Sequence, residues 1–137
     1  MKTFKQFIKE SNNIKIGINI NDKIQDFTGQ ILKGEKTIET RNKNTLKSYI
    51  GQRVGIIRTG KGKAVLVGFC TIGIPKVYKN EEEFRKDENK HLVKKGNKYD
   101  IPTNGIKFGY PLHNVVKIKE PLVLNTKTIS RQARYLN

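Results

Sequence analysis

Apolar and polar residues alternate near the start of the chain, where four isoleucines occupy every second position of residues 14–20. A period of two is typical of a half-buried β-strand. Apolar residues at helical spacing follow over residues 24–32, behind Asn21 and Asp22, which can cap a helix, and ahead of Gly34, which can end it in the left-handed conformation. The pattern therefore predicts a strand followed by a short helix.

The pattern in the remainder of the chain predicts mainly short strands. The predicted elements are a helical turn over 45–50, a hairpin of strands 53–59 and 64–72, a helix over 81–92 capped by Asn80, a polar loop over 96–109, and strands over 114–119 and 122–124. This order predicts one small α+β barrel of five to six strands with two to three helices. The barrel is expected to span residues 14–124, between an N-terminal appendage over 1–13 and a basic tail over 125–137 that is either a short helix or disordered.

Charge points to an anionic partner. The 137 residues include 28 Lys and Arg against 12 Asp and Glu, a formal net charge of +16. The basic residues are dispersed along the chain, which favours a positive face on a folded domain and, as its partner, single-stranded RNA, DNA or a nucleotide. A lysine-rich codon usage would also raise the lysine count, but it would not explain why acidic residues are scarce.

Several classes of site are disfavoured by composition. Cys70 is the single cysteine of the sequence, which excludes an internal disulfide and a cysteine-rich zinc site. His91 and His113 lack the spacing of metal ligands, so neither a metal nor another cofactor is expected. No apolar run approaches the roughly 20 residues of a membrane span, so no membrane partner is expected either.

The run Ile31-Leu32-Lys33-Gly34-Glu35-Lys36-Thr37-Ile38-Glu39-Thr40-Arg41 places three charged side chains directly after the predicted helix. On the residues alone, these charges either face water on an ordinary strand or line a ligand site. The run resembles the signature of the ASCH family, roughly G-x-K-x-x-E-x-R, with Gly34, Lys36, Glu39 and Arg41 at its fixed positions. Gly51-Gln52-Arg53-Val54 and Gly109-Tyr110-Pro111-Leu112 are similar to later family segments.

The resemblance implies a PUA-like β-barrel with a cleft for RNA, single-stranded nucleic acid or a modified nucleobase. In that cleft, Lys36 and Arg41 can hold a phosphate and Glu39 can accept a hydrogen bond from a base amine. Four aromatic residues are candidates to stack on a base, namely Tyr49, Tyr78, Phe108 and Tyr110. The candidate binding residues are Lys36, Thr37, Glu39, Arg41, Arg53 and Tyr110.

One ASCH subgroup is an amidohydrolase that removes the acyl group from N4-acetylcytidine with a lysine, a threonine and a glutamate. The resemblance places its lysine on Lys36 but puts Glu39 where the threonine is expected. Its glutamate would come from the acidic helix start, where the candidates are Glu81, Glu82, Glu83 and Glu88, although solvated acids are common there. Lys36 and Glu39 are thus the candidate catalytic residues, and a ribonuclease is a related alternative.

The first ten residues resemble the capsid-targeting leader of internal head proteins in T-even-like phages. Cleavage after Glu10, within Ile8-Lys9-Glu10, would make Ser11 the first residue of the mature protein. The same residues also fit an amphipathic helix with Phe4, Phe7 and Ile8 on one stripe.

Three hypotheses follow. The first is a phage-encoded ASCH-type domain that binds nucleic acid in the host cytoplasm during infection. The second is an enzyme acting on an acylated cytidine or on RNA. The third is a protein packaged in the phage head that blocks a host defence enzyme.

Overall fold

A mixed sheet of seven strands dominates the computed structural model, which describes residues 13–137. The strands are β1 (Ile16–Asn21), β2 (Ile38–Arg41), β3 (Arg53–Thr59), β4 (Val65–Ile72), β5 (Lys76–Tyr78), β6 (Lys107–Val123) and β7 (Ala133–Tyr135). They are hydrogen-bonded in the order β2-β6-β4-β3-β1-β7, with β5 also paired to β6. β1 and β3 are parallel, and the other pairs are antiparallel.

Three short α-helices accompany the described part of the sheet. They are α1 (Phe27–Leu32), α2 (Glu81–Lys86) and α3 (Glu88–His91), and a 3-10 turn covers Lys47–Tyr49. Phe27 and Ile31 of α1 are buried in the main core together with Ile18 and Ile20 of β1. The helix therefore covers one face of the sheet through the alternating apolar positions that identified β1.

The sheet curls until its two ends meet. β2 lies at one end of the strand order and β7 at the other. Even so, the Arg41 guanidinium at the end of β2 donates hydrogen bonds to the Asn19 carbonyl oxygen of β1 and to the Gln132 side chain just before β7. Arg41 thus closes the gap between sheet edges that share no backbone ladder.

Several predictions from the sequence are confirmed. The fold class is α+β, and the hairpin of β3 and β4 has the expected bounds within a residue. Gly34 and Gly51 both have a φ of 80°, the left-handed conformation expected after a helical turn. Asn80 caps α2, with its side chain accepting a hydrogen bond from the Glu83 backbone amide at 2.9 Å.

The first helix begins later than the apolar spacing predicted. Its N-cap is Asp26, whose carboxylate accepts from the Gly29 amide at 3.1 Å, instead of Asn21 or Asp22. Asp22 is buried and accepts hydrogen bonds from the Thr28 amide and hydroxyl, so it ties β1 to the helix. The predicted helix over 81–92 is likewise divided at Asp87.

The second half contains more strand than predicted. The end of the predicted loop over 96–109 and the two short strands after it form the single strand β6, even though Pro111 and Pro121 lie within it. Proline is tolerated where its nitrogen is not required by a neighbouring strand, and residues 118–121 have no register partner in β4. β5 was not predicted, and the C-terminal segment expected to be helical or disordered forms β7.

The proposed leader, with its cleavage position Glu10, lies outside the described residues. Within residues 13–137, no helix combines the length and apolar character needed to cross a membrane.

Candidate binding cleft

An open cleft of about 550 Å³ lies where the two ends of the sheet approach each other. Its walls come from residues 19–21 of β1, residues 39–41 of β2, and the segment that leads into β7. Tyr99 and Lys107 contribute from the second half of the chain. The curl of the sheet therefore creates the cleft, since these segments are far apart in sequence.

Lys36 reaches the cleft from the turn after α1. The left-handed Gly34 reverses the chain, and the amides of Glu35 and Lys36 donate to the Gln30 carbonyl oxygen at 2.9 and 3.1 Å. The Lys36 side chain is then directed inward, where the residue is only 2 % exposed and its Nζ lies 4.8 Å from the centre of the Phe27 ring. Burial lowers the pKa of Lys36, which the Glu39 carboxylate partly offsets and the Arg41 guanidinium reinforces.

The backbone of His91 supplies a hydrogen-bond acceptor for the Lys36 ammonium. Lys36 Nζ donates a hydrogen bond to the His91 backbone oxygen. The imidazole is fixed on both sides, because its Nδ1 accepts from the Val93 amide at 2.9 Å and its Nε2 lies 2.7 Å from the Phe84 carbonyl oxygen. This arrangement requires the neutral ring, and burial lowers the pKa of His91 in the same sense.

Glu39 lies between the two signature cations. Its Oε1 is 3.7 Å from Lys36 Nζ, whereas its Oε2 accepts from Arg41 Nε at 3.1 Å and lies 3.0 Å from Arg41 NH2. Arg41 also donates to Gln132 Oε1 at 2.6 Å and to the Asn19 carbonyl oxygen at 2.8 Å. Lys36, Glu39 and Arg41 are thus brought together as predicted, but both cations already have acceptors within the protein.

Other polar groups of the cleft have no partner among residues 13–137. Asn19 Oδ1 and Thr45 Oγ1 are buried without a hydrogen bond. Lys107 is 2 % exposed, lines the cleft and forms neither a side-chain hydrogen bond nor a close ion pair with these residues. Burial lowers the pKa of Lys107 to about 8, with Glu39 acting in the opposite direction and Arg41 and Lys36 adding to the decrease.

Tyr99 and Phe27 are the aromatic residues of the cleft wall. Their rings meet edge to face, with centroids 6.0 Å apart and an interplanar angle of 68°. The predicted stacking residue Tyr110 instead lies in the core, where its hydroxyl accepts from the Leu46 amide at 3.2 Å and donates to Asn44 Oδ1. Its ring has no access to a base. None of the other three predicted aromatics, Tyr49, Tyr78 and Phe108, lines the cleft.

Two further predicted binding residues lie outside the cleft wall. Thr37 precedes β2, so strand alternation does not place it on the same side as Glu39, and its side chain is exposed. Arg53 donates to the Asn114 carbonyl oxygen at 2.8 Å on another part of the sheet. The helix acids Glu81, Glu82, Glu83 and Glu88 are also absent from the wall, which leaves Glu39 as the one acidic residue among the described residues that line it.

The signature motif did not indicate Asn19, Tyr99, Lys107 and Gln132, which complete the cleft. Asn19 is an ordinary polar position in an alternating strand, and Lys107 is one of many dispersed lysines. Their common property is proximity to Glu39 and Arg41, which tertiary contacts produce: Lys107 precedes Phe108, the register partner of Arg41, whereas Asn19 and Gln132 approach through the curl of the sheet.

Comparison with known proteins identifies solved structures that share this fold. No model of a known protein family and no curated protein matches the sequence. Among solved structures, the ASCH protein from Zymomonas mobilis aligns with a TM-score of 0.69 at 17 % identity, covering 89 % of this chain and 87 % of that chain. A serine-to-alanine variant of it aligns at 16 % identity over 89 % and 87 % of the two chains, and a tyrosine-to-phenylalanine variant at 17 % over 89 % of each, both with a TM-score of 0.69. The chain therefore shares the α+β fold of the Zymomonas mobilis ASCH protein.

Proposed function

We propose that the cleft binds single-stranded RNA or DNA, or a nucleotide, and that one base enters between Glu39 and Tyr99. The observation that carries this proposal is a carboxylate fixed between two cations at the wall of a cleft of about 550 Å³. That volume is within the roughly 300–1,000 Å³ typical of ligand sites.

One carboxylate oxygen of Glu39 is available to accept a hydrogen bond from a base. Arg41 occupies Oε2, but Oε1 has only Lys36 at 3.7 Å, which is longer than a hydrogen bond. Oε1 can therefore accept from the exocyclic amine of a base such as cytosine. The contacts with Arg41 orient the carboxylate for this role.

The surroundings favour a polyanion. The protein has a formal charge of +16, and the exposed residues Lys43 and Arg131 lie at the rim of the cleft. Tyr99 supplies a ring at the wall on which a base can stack. The signature resemblance and the ASCH-type fold agree with such a ligand.

Fluorescence anisotropy with labelled single-stranded oligonucleotides tests the proposal. We expect binding whose affinity falls steeply with salt, because lysine contacts release counterions from the phosphates. Charge reversal at the rim, Lys43→Glu, should weaken binding more than Lys119→Glu, the same change at an exposed lysine of β6 outside the cleft wall. Absence of binding, or equal effects of the two variants, would contradict the proposal.

An amidohydrolase is the second candidate function. It is favoured by the lowered pKa of Lys36 beside a carboxylate, a combination common in catalytic sites. The position at which a threonine is expected carries Glu39, however, and Lys36 is held by Glu39 and the His91 carbonyl oxygen. We therefore rank binding above hydrolysis.

A further inference from the structure

Lys107 combines deep burial with the lack of a partner. It is the first residue of β6, paired in register with Tyr78 of β5, and its side chain lines the cleft. The residue is 2 % exposed, yet its ammonium has no acceptor among residues 13–137. Lys36 is equally buried but has both Glu39 and the His91 oxygen.

The Lys107 side chain is largely desolvated, and its ammonium opens to the cleft without a protein acceptor, which is unfavourable for the free protein because no hydrogen bond or ion pair offsets the lost hydration. Methionine, an apolar side chain of similar length, would avoid that cost at this position. An anion that enters the cleft and binds the ammonium would offset this unfavourable free energy.

We propose that Lys107 is the residue of the cleft that binds a phosphate group of the ligand. The inference rests on the proposed nucleotide-binding function and changes the assignment of its anion contact. Lys36 and Arg41 both contact Glu39, and Arg41 also joins the two ends of the sheet. These two cations therefore position the base-reading carboxylate, whereas the free ammonium of Lys107 binds the phosphate.

The other groups near Lys107 do not supply that anion. The charged and titratable side chains that face it are Glu39, Arg41 and Lys36 from β2 and the preceding turn, Tyr99 and Asp100 from the loop before β6, and Tyr78 from β5. Asp100 is bound to Arg85 at 2.7 Å, and Glu39 to Arg41. The phenols of Tyr78 and Tyr99 both have a raised pKa through burial and stay neutral near pH 8.

Protonation of Lys107 then couples ligand binding to pH. With a pKa of about 8 in the free protein, Lys107 is mostly charged at pH 7 and mostly neutral at pH 9. An anion that requires the charged form should bind about tenfold more weakly at pH 9 than at pH 7. Cytidine monophosphate is a suitable probe, because its phosphate, with a second pKa of about 6, keeps the same charge over this range.

The experiment measures, by titration calorimetry or by competition with a labelled oligonucleotide, the affinity for cytidine monophosphate, inorganic phosphate and cytidine. The variants are Lys107→Met, which removes the charge, and Lys107→Arg, which stays charged at pH 9. Lys119→Met serves as the matched control at an exposed lysine outside the cleft wall. Thermal melts of each variant establish that it is folded.

We expect Lys107→Met to weaken binding of cytidine monophosphate by at least tenfold at pH 7 while its melting temperature stays equal or rises. Lys107→Arg should bind with little change between pH 7 and pH 9, and Lys119→Met should behave as the wild type. If the pH dependence persists in Lys107→Arg, it comes from Lys36 or another group, and the proposal is wrong. A stronger preference of the wild type for the nucleotide over cytidine, lost in Lys107→Met, would support it.

The outcomes separate this inference from the proposed function. Unchanged nucleotide or oligonucleotide binding by Lys107→Met would refute the Lys107 assignment and leave the cleft as the binding site. Phosphate binding through Lys107 without any binding of oligonucleotide or cytidine monophosphate would keep the anion site and refute the nucleic-acid function. Absence of binding for every probe would refute both.

Discussion

Replacement of Arg41 by alanine should destabilise the protein strongly, because this side chain joins the two ends of the curled sheet. Its guanidinium binds Glu39 of its own strand, the Asn19 carbonyl oxygen of β1 and the Gln132 side chain. Arg41→Ala leaves Glu39 with only the 3.7 Å contact to Lys36, and it removes the donor from the other two acceptors.

The size of the expected loss of stability follows from the burial of the ion pair between Arg41 and Glu39. The side chains of Arg41 and Glu39 are 13 % and 12 % exposed, so most of the ion pair is shielded from water. Breaking a buried pair by removing one partner costs about 3–5 kcal/mol, and the residual exposure places this pair at the lower end, at about 3 kcal/mol. For a domain of this size, that loss lowers the melting temperature by about 10 °C.

Urea denaturation and thermal melting measure the effect. Arg131→Ala is the matched control, because Arg131 is an exposed arginine of the same cleft and its substitution should change stability by less than about 0.5 kcal/mol. Arg41→Lys should fall between wild type and Arg41→Ala, since an ammonium cannot serve three partners in the geometry of a planar guanidinium. A double-mutant cycle with Gln132→Ala should give a coupling energy of about 1 kcal/mol. A loss below about 1 kcal/mol for Arg41→Ala, or one equal to that of Arg131→Ala, would show that the sheet closes without this contact.

Three other predictions concern protonation, catalysis and processing. The free energy of unfolding should rise between pH 8 and about pH 10, because Lys107 has a pKa of about 8 in the folded protein and an ordinary value of 10.5, so the unfolded chain binds more protons in this range. Urea midpoints should show a smaller rise in Lys107→Met, and an equal rise would exclude this group as the source. Incubation with N4-acetylcytidine should yield little or no cytidine by chromatography, because Glu39 replaces the expected hydroxyl; robust turnover that Lys36→Ala abolishes would reverse the ranking of the two functions. If the first ten residues are a packaging leader, intact mass should show that protein from virions begins at Ser11, and a retained Met1 would argue against the leader.

Local chemistry was sufficient for much of the fold. The alternating isoleucines identified β1, and the strand pattern over 53–59 and 64–72 identified the hairpin of β3 and β4. Gly34 and Gly51 occupy the left-handed positions that their contexts predicted. These features depend on neighbours within a few residues, so they are readable without tertiary information. The signature also placed Lys36, Glu39 and Arg41 correctly in one cleft.

Long-range contacts decided what local patterns could not. β6 continues through Pro111 and Pro121 because β2 and β5 pair with its first half and β4 with the remainder, and β7 forms because β1 offers it an edge. Tyr110 has the loop-like context of an exposed aromatic, but that pairing buries it.

The sequence by itself thus determined the α+β class, the early elements and the charged signature, because each depends on residue spacing along one segment. The tertiary structure decided what else those charges contact: curling of the sheet brings Asn19 and Gln132 to Arg41, so this arginine also joins the two ends of the sheet. It also decided which of the many dispersed lysines is buried without a partner. Lys107 is distinguished from the others only by the cleft that encloses it, since burial and the absence of an acceptor are properties of the assembled fold.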